Sequence, residues 1–291
     1  METNGSEIML SVCCVTYNHE KYIAQAMEGF VMQKTDFNFE IIVGEDCSTD
    51  ATRKILEDYV AKYPDKIRLI TSSHNVGAIH NGIRVFKAVR GKYIAICDGD
   101  DYWTDPLKLQ KQVDFLESNS GYVMCGHYSK RIRENNEIHY MNFNPKPIVY
   151  SFSDVMTEKN KESATLTIVY RNTNEIRKMY DSDWFLKCHA PDRFIKLYTT
   201  YISGKDIYIL PELMSCYRQH SGGVWSSLAP KKVKEKEFND LCLMMNVFKY
   251  SVVQKTQLFF FYIKKYFLFD VKQHSLKDAF STIRTILLKS A

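Results

Sequence analysis

The sequence predicts an α/β fold, a sheet with helices on both faces followed by a helical C-terminal extension, and three observations carry that expectation. Strand-like and helix-like runs alternate through the first hundred residues. The first run, Ile8–Thr16, is nearly continuous in apolar residues, as expected of a strand buried on both faces of a parallel sheet. Polar and acidic residues then recur just past the strand ends, where ligands of open α/β sheets bind.

Taken in order, Asn18 suits the cap of a helix over Glu20–Met32, whose Tyr22, Ile23, Ala26, Met27, Phe30 and Val31 fall at helical spacing. Strand Phe39–Gly44, helix Thr49–Tyr63, strand Ile67–Thr71, helix Val76–Val89 and strand Lys92–Cys97 follow. Beyond Asp101 the spacing predicts a helix over Pro106–Ser118, a strand over Gly121–Lys130 and a polar loop over Arg131–Pro147. Ser163–Arg171 reads as a strand, and Pro191–Ser203 as a helix with proline in its first turn. Asp206–His220 reads as a strand pair interrupted by Pro211. Pro230–Ala291 reads as wholly helical, which divides the chain into a body, 1–229, and a C-terminal module, 230–291.

With 291 residues, 45% of them hydrophobic and 25% charged, the chain is neither disordered nor fibrous. No apolar stretch reaches the ~18 residues of a membrane-spanning helix. The polar, acidic opening Met1–Glu7 lacks the basic start and apolar core of an export signal, so a cytoplasmic location is expected. Eight cysteines without Cys-x-x-Cys pairs or zinc-ligand spacing read as reduced packing residues. The net charge of +5 is unevenly placed: from Lys231 onward there are 12 Lys/Arg against 5 Asp/Glu, which leaves the rest of the chain slightly acidic. A nucleic-acid partner would need its cations spread over the folded face, so none is expected.

Asp98-Gly99-Asp100-Asp101 places three carboxylates in four residues, which repel one another unless a cation or ordered solvent absorbs their charge. On an extended strand end Asp98 and Asp100 point the same way, and Gly99 lets a ligand approach the backbone. A calcium loop is excluded, because Tyr102 and Trp103 stand where it needs an oxygen ligand and a glycine. In the second acidic strand end, Glu45-Asp46-Cys47-Ser48-Thr49-Asp50, capping of the next helix accounts for Ser48, Thr49 and Asp50. It does not account for Glu45 and Asp46, which suit hydrogen bonds from a base or a ribose.

Val15-Thr16-Tyr17-Asn18, Val43-Gly44-Glu45-Asp46-Cys47-Ser48-Thr49-Asp50, Asn75-Val76-Gly77 and Asp98-Gly99-Asp100-Asp101, in that order, resemble the signatures of family 2 inverting glycosyltransferases. The resemblance spans residues 8 to 225 and implies a nucleotide-binding, Rossmann-like glycosyltransferase A fold with a mixed central sheet. Two positions depart from the pattern: the usual Asp-Asp pair reads Glu45-Asp46, and Ala-Arg-Asn reads Ile79-His80-Asn81.

It further implies a donor pocket formed by Thr16, Asn18, Glu45, Asp46, Asn75, Asp98, Asp100 and Arg218, with Asp46 on the base, usually uracil. Asp100 would ligate a divalent cation, Mn²⁺ or Mg²⁺. A diphosphate cannot enter a rim lined by Asp46, Asp98, Asp100 and Asp101 without such a charge to offset both sides. Tyr217-Arg218-Gln219-His220-Ser221-Gly222-Gly223-Val224-Trp225 resembles a segment whose histidine lies by the metal, which makes His220 a ligand candidate.

Inverting transfer needs one carboxylate to receive the acceptor's proton. Members of the resembled family place it in an acidic motif opening a helix some ninety residues past Asp-x-Asp; Cys188-His189-Ala190-Pro191-Asp192-Arg193-Phe194 matches best, so the resemblance implies Asp192 as base, with Asp181 and Asp183 as fallbacks. Trp103 and Trp225 are the candidates for a sugar or acceptor wall.

The aromatic stretch Leu258–Phe269, broken by Lys264-Lys265, suits either a helix lying on a membrane surface or one packed on the body or on a second copy of the chain. The expected partners are a nucleotide-sugar donor and a glycan or lipid-linked saccharide acceptor. The alternatives are a sugar-nucleotide pyrophosphorylase, although Tyr17-Asn18-His19-Glu20 stands where its glycine-rich loop would be, and a binding module without catalysis.

Overall fold

The structure, a computed structural model, describes residues 7–223 and 228–272 together with 280, 283 and 284. The alternating half comprises β1 (Leu10–Thr16), α1 (Ile23–Val31), β2 (Phe39–Glu45), α2 (Thr52–Lys62), β3 (Ile67–Thr71), α3 (Ala78–Lys87) and β4 (Tyr93–Ile96). The second half carries β5 (Tyr102–Trp103), α4 (Lys108–Ser118), β6 (Tyr122–Arg133), β7 (Ile138–Tyr140), β8 (Ile148–Tyr150), α5 (Phe152–Met156), β9 (Val169–Arg171), α6 (Asn174–Arg177), α7 (Pro191–Ser203) and β10 (Asp206–Gln219). Two long helices close the chain, α8 (Pro230–Val247) and α9 (Val252–Lys272).

One mixed sheet runs in the order β3-β2-β1-β4-β9-β6-β10-β5, with β7 alongside β6 and β8 alongside β10. β3, β2, β1 and β4 are parallel, β9 lies antiparallel between β4 and β6, and β10 runs parallel to β6. The strand period of two explains the apolar run of β1: Leu10, Val12 and Cys14 enter the core beneath α1, α2 and α4, while Cys13 enters the other. That second core holds Phe194 and Leu197 of α7 together with Leu241 and Met244 of α8 and Leu258, Tyr262 and Tyr266 of α9. The C-terminal helices therefore share the core of the body.

Several expectations are corrected. Asn18 does not cap α1, which begins only at Ile23; Asn18 adopts a positive φ of 56° and its Oδ1 accepts from the Thr49 amide at 2.8 Å. Ser48 and Thr49 turn toward Asn18, so α2 begins at Thr52 with Glu20 accepting from the Ala51 amide at 3.0 Å. Ser163–Arg171 is strand only over Val169–Arg171, because the carbonyls of Leu166 and Thr167 are taken by Trp103 Nε1 and Gln112 Nε2. The loop over Arg131–Pro147 contains the short strand β7, reached through Asn136 at φ 63°. Asp206–Gln219 is one strand, and its ladder with β6 absorbs Pro211, which has no N–H to give, as a register shift between Leu210 and Leu213.

The parallel half is pinned at its base by Glu40, 2% exposed, which accepts from Ser11 at 2.7 Å, Arg90 at 2.7 Å and Arg68 at 3.0 Å. Burial pushes its carboxyl up, but the hydrogen bonds from Arg90, Ser11 and Arg68 outweigh burial and hold it below the usual glutamate value. The folded protein thus binds fewer protons here than the unfolded chain, and this contribution, full at neutral pH, is lost as pH falls through the folded value. Glu40→Gln is expected to cost about 1–2 kcal/mol at pH 7, the half-exposed arginines being screened by water. Urea unfolding at pH 7 and at pH 3 checks this: the variant should lie below wild type at the first, and the gap should narrow at the second.

Candidate active site

The loops after β1, β2 and β4 meet past the carboxyl ends of the parallel strands, and the end of β10 reaches the same rim. The first two are fastened to each other. The Asn18 amide donates to Ser48 Oγ at 3.0 Å, the His19 amide to Thr52 Oγ1 at 2.8 Å and the Glu20 amide to Asp50 at 3.0 Å. Asn18 and Cys47 sit at positive φ where these loops turn, so each loop is shaped by its neighbour. Asn18, expected to bind donor, has its side chain engaged in this fastening.

The acidic turn after β4 stands at the centre. Asp100 Oδ2 lies 3.0 Å from His220 Nε2 and 3.9 Å from His19 Nε2, and His19 Nδ1 in turn lies 3.1 Å from Thr16 Oγ1. Burial pushes the Asp100 carboxyl up, but the His220 hydrogen bond and the charges of His19 and His220 outweigh it and hold it below the ordinary aspartate value. Asp98 goes the other way, pushed up to about 8 by burial and by the charges of Asp100 and Asp192. Asp101 is buried and raised well above the usual range, first by burial and then by Asp100, while its Oδ1 accepts from the Arg218 amide at 2.8 Å.

Gly99 serves packing at this turn. A Cβ there would stand 2.7 Å from Thr16 Oγ1 and 2.9 Å from Ile23 Cδ1. Gly99→Ala is therefore expected to cost about 1–3 kcal/mol through overpacking. It should also weaken nucleotide binding by displacing Thr16; denaturant melts and titration calorimetry on the same variant check both.

Asp46, 2% exposed, accepts from the amides of Val76 at 2.8 Å and Gly77 at 2.9 Å, and Asn75 Oδ1 accepts from the same Gly77 amide at 3.0 Å. Gly77 has φ 86°, open to glycine without strain, so the Asn-x-Gly turn folds around Asp46. Asp46 Oδ1 accepts from Ser72 Oγ as well, at 3.3 Å, so Oδ2 is the oxygen that keeps a second lone-pair direction for a ligand. Glu45 is not available to one: fully buried, it accepts from the Ser48 amide and from Arg53 Nε at 2.6 Å.

Asp192 opens α7 and its Oδ2 accepts from Lys196 Nζ at 2.9 Å, one helical turn on. Burial pushes it up, but Lys196 and Arg193 outweigh burial and hold it below the usual range, which keeps it ionised at neutral pH. Its charge acts on Asp98, which puts Asp192 within electrostatic reach of the acidic turn. The fallbacks are exposed: Asp181 pairs with Lys87 at 2.7 Å on α3, and Asp183 lies nearby in the chain.

Two expected ligand contacts are corrected. Trp103 is not a wall of the site. It is 2% exposed, stacked edge-on to Phe30, bonded through Nε1 to the Leu166 carbonyl, and covered by Lys108 Nζ 4.0 Å from its ring. Its place on β5, paired with Ser215 of β10, turns it into the core. The guanidinium of Arg218 does not face a diphosphate: Nη1 donates to the Asp100 carbonyl and Nη2 to Gln25 at 2.7 Å, with the ring of Tyr22 at 4.7 Å. It braces the acidic turn from behind. Trp225 lies outside the described residues. Sequence reasoning missed His19, Tyr22, Gln25 and Lys196. Lys196 was legible from its i+4 spacing to Asp192, and His19 from its place directly after the Thr16 motif.

Asp100 and His220 fit a divalent cation as one hard oxygen and one imidazole nitrogen, and the raised Asp98 marks a turn short of positive charge. Among the described residues no group of three or more His, Cys, Asp or Glu is ready to hold an ion alone, so a bound nucleotide and water would complete the shell.

The model of glycosyl transferase family 2 matches residues 11–185, which includes the first three loops and stops short of Asp192, Arg218 and His220. An uncharacterised protein of Mycobacterium tuberculosis is 36% identical over 227 residues, 75% of this chain and 61% of that protein. The chain thus spans about three fifths of the length of the curated relatives it matches. Staphylococcus aureus TarS 1-349 in complex with UDP-GlcNAc superposes with a TM-score of 0.65 at 21% identity, over 87% of this chain and 71% of that one. The mannosyltransferase PcManGT from Pyrobaculum calidifontis, in complex with GDP-Man and Mn²⁺, does so with a TM-score of 0.58 at 12% identity, over 98% of this chain and 86% of that one. At those identities the two structures speak for a glycosyltransferase A-type fold alone. With more than half of its length covered by the family pattern, the chain belongs to glycosyl transferase family 2.

Proposed function

We propose that the protein is a metal-dependent, inverting glycosyltransferase of the hexosyltransferase type that moves a sugar from a nucleotide donor, UDP-linked in the first instance, to a saccharide or lipid-linked glycan. The product would enter cell-surface polysaccharide synthesis. The observation that carries the reading is the acidic turn, where Asp100 meets His220 at 3.0 Å while the charge of Asp192 acts on Asp98. This sets an ionised carboxylate within electrostatic reach of an ion-binding edge. The UDP-GlcNAc and the GDP-Man with Mn²⁺ carried by TarS and PcManGT support a nucleotide-sugar and a cation as the class of ligand.

In this reading Asp46 accepts from the base, Thr16 lines the pocket beside it, Asn75 shapes the turn that closes on the base, and Asp98 lies near the ribose and sugar. Asp100 and His220 hold the cation, which when bound offsets the diphosphate charge and stabilises the departing oxygen. An imidazole in the shell favours Mn²⁺ over Mg²⁺. Asp192 takes the proton of the acceptor hydroxyl as its oxygen attacks the anomeric carbon from the face opposite the leaving nucleotide, which inverts that centre. The presence of this ionised carboxylate favours catalysis over a binding module. A thermal-shift screen of nucleotides and nucleotide sugars, with and without Mn²⁺, tests it. UDP or a UDP-sugar with Mn²⁺ should raise Tm, and no shift with any nucleotide would overturn the reading.

The outward face of α9 bears Val253, Phe260, Leu268 and Val271, with Lys264 and Lys272 beside them. Apolar residues flanked by lysines match an anionic lipid surface, so a peripheral position on the inner face of a membrane belongs to this proposal, in keeping with a lipid-linked acceptor. Among the described residues no helix is long and apolar enough to cross a membrane. Co-sedimentation with vesicles containing anionic lipid is expected, and to be lost in Phe260→Asp. Unbound vesicles with a chain that sediments as a dimer would assign this face to a second copy.

A further inference from the structure

We infer that Asp240, on α8, is a positioning residue for Asp192, so that the C-terminal helices set the rate of transfer without touching the donor. The inference rests on the reading of Asp192 as the base. The start of α7 has no cap of its own: its N-cap is Ala190, which carries no accepting side chain, and Pro191 follows with no N–H. Asp240, 50 residues further along the chain, supplies what is missing. Its Oδ1 accepts from the His189 amide at 2.8 Å and lies 3.1 Å from His189 Nδ1, and its Oδ2 accepts from the Ala190 amide at 3.0 Å. The carboxylate is 1% exposed, where an unmatched charge would be costly, so the contacts hold both partners in place.

A second fastener lies on the other side of Asp192. Arg193 pairs with Glu158 at 3.1 Å and donates to the hydroxyl of Tyr262 on α9, while Lys265 of α9 holds the same Glu158 at 2.8 Å. Tyr262 also donates to the Met156 carbonyl at 3.3 Å. Asp192 is thus bracketed two residues before and one residue after by bonds that end on α8 and α9. The hydrogen bonds to Thr16, Asp46 and the Asp100 carboxylate come from the β1, β3 and β10 loops instead. A catalytic group displaced by about 1 Å loses on the order of 10²-fold in rate, whereas donor affinity depends on those other loops.

The test is steady-state kinetics on the full chain, following nucleotide release. In Asp240→Asn an amide N–H₂ faces either the His189 or the Ala190 donor, so one bond becomes a repulsion. We expect kcat to fall by at least about tenfold with the donor KM within about twofold of wild type, and the acid limb of the kcat profile to move to higher pH as the Lys196 contact slackens. Leu241→Ala, which removes buried packing from the neighbouring position, should lower Tm and leave kcat and the pH profile unchanged. Wild-type kcat and pH profile in Asp240→Asn would overturn the inference, as would an equal loss of kcat in Leu241→Ala.

If Asp240→Asn does not fold, Tyr262→Phe tests the second fastener, with a smaller loss of kcat expected and an unchanged kcat counting against the inference. The two readings fail differently. Activity in Asp192→Asn removes the base itself, while an inactive Asp192→Asn beside a fully active Asp240→Asn removes only the positioning role.

Discussion

Asp192→Asn is expected to lower sugar transfer by ~10²–10⁴-fold, the usual contribution of a general base, while leaving nucleotide binding intact. The amide has the shape of the carboxylate and can still accept from Lys196, so the start of α7 keeps its geometry and only the capacity to receive a proton is lost. Lys196→Met probes the same atom from the other side. Lys196 is the main influence holding Asp192 below the usual carboxylate range against burial, so its removal raises that value. The base is then ionised only at higher pH, and the acid limb of the kcat profile moves up. Single-turnover assays and titration calorimetry separate the two effects, and unchanged turnover in Asp192→Asn would remove it from the reaction.

The alternating half was legible because β1, β2 and β4 are buried on both faces, the edge strand β3 being only partly covered, and each helix has one apolar face. Legibility fell where a residue's role is set by a distant partner. Asn18 has the chemistry of a cap, yet Ser48 and Thr49 claim its backbone and side chain from another loop. Glu45 looks like a donor contact and is spent on Arg53. Trp103 follows the acidic turn directly, but its pairing with Ser215 across 112 residues turns the ring into the core. His19 and His220 converge on Asp100 from opposite halves of the chain, a juxtaposition that spacing along the sequence does not express. Asp192, by contrast, is named by the resemblance through its distance past Asp98-Gly99-Asp100, and what the sequence itself marks, with proline at the first turn, is the helix start on which it sits.

Asp100→Ala is expected to abolish the Mn²⁺-dependent part of UDP binding, the second large effect. Of the two donors offered to the cation, Asp100 is the one that carries negative charge, and a divalent ion loses both a ligand and a neutralising partner when it is removed. His220→Ala removes a nitrogen ligand but no negative charge and should weaken binding less. His19 lies 3.9 Å from the same oxygen and should matter least. At a nucleotide concentration of 100 times Kd, binding stabilises the native state by about 2.7 kcal/mol, so loss of affinity appears as loss of the ligand-induced rise in Tm. The expected order of remaining shift with Mn²⁺ and UDP is wild type, His19→Ala, His220→Ala, Asp100→Ala. Full retention of the shift in Asp100→Ala would place the ion elsewhere. A larger loss in His19→Ala than in His220→Ala would mean that the loop after β1, not the end of β10, supplies the nitrogen.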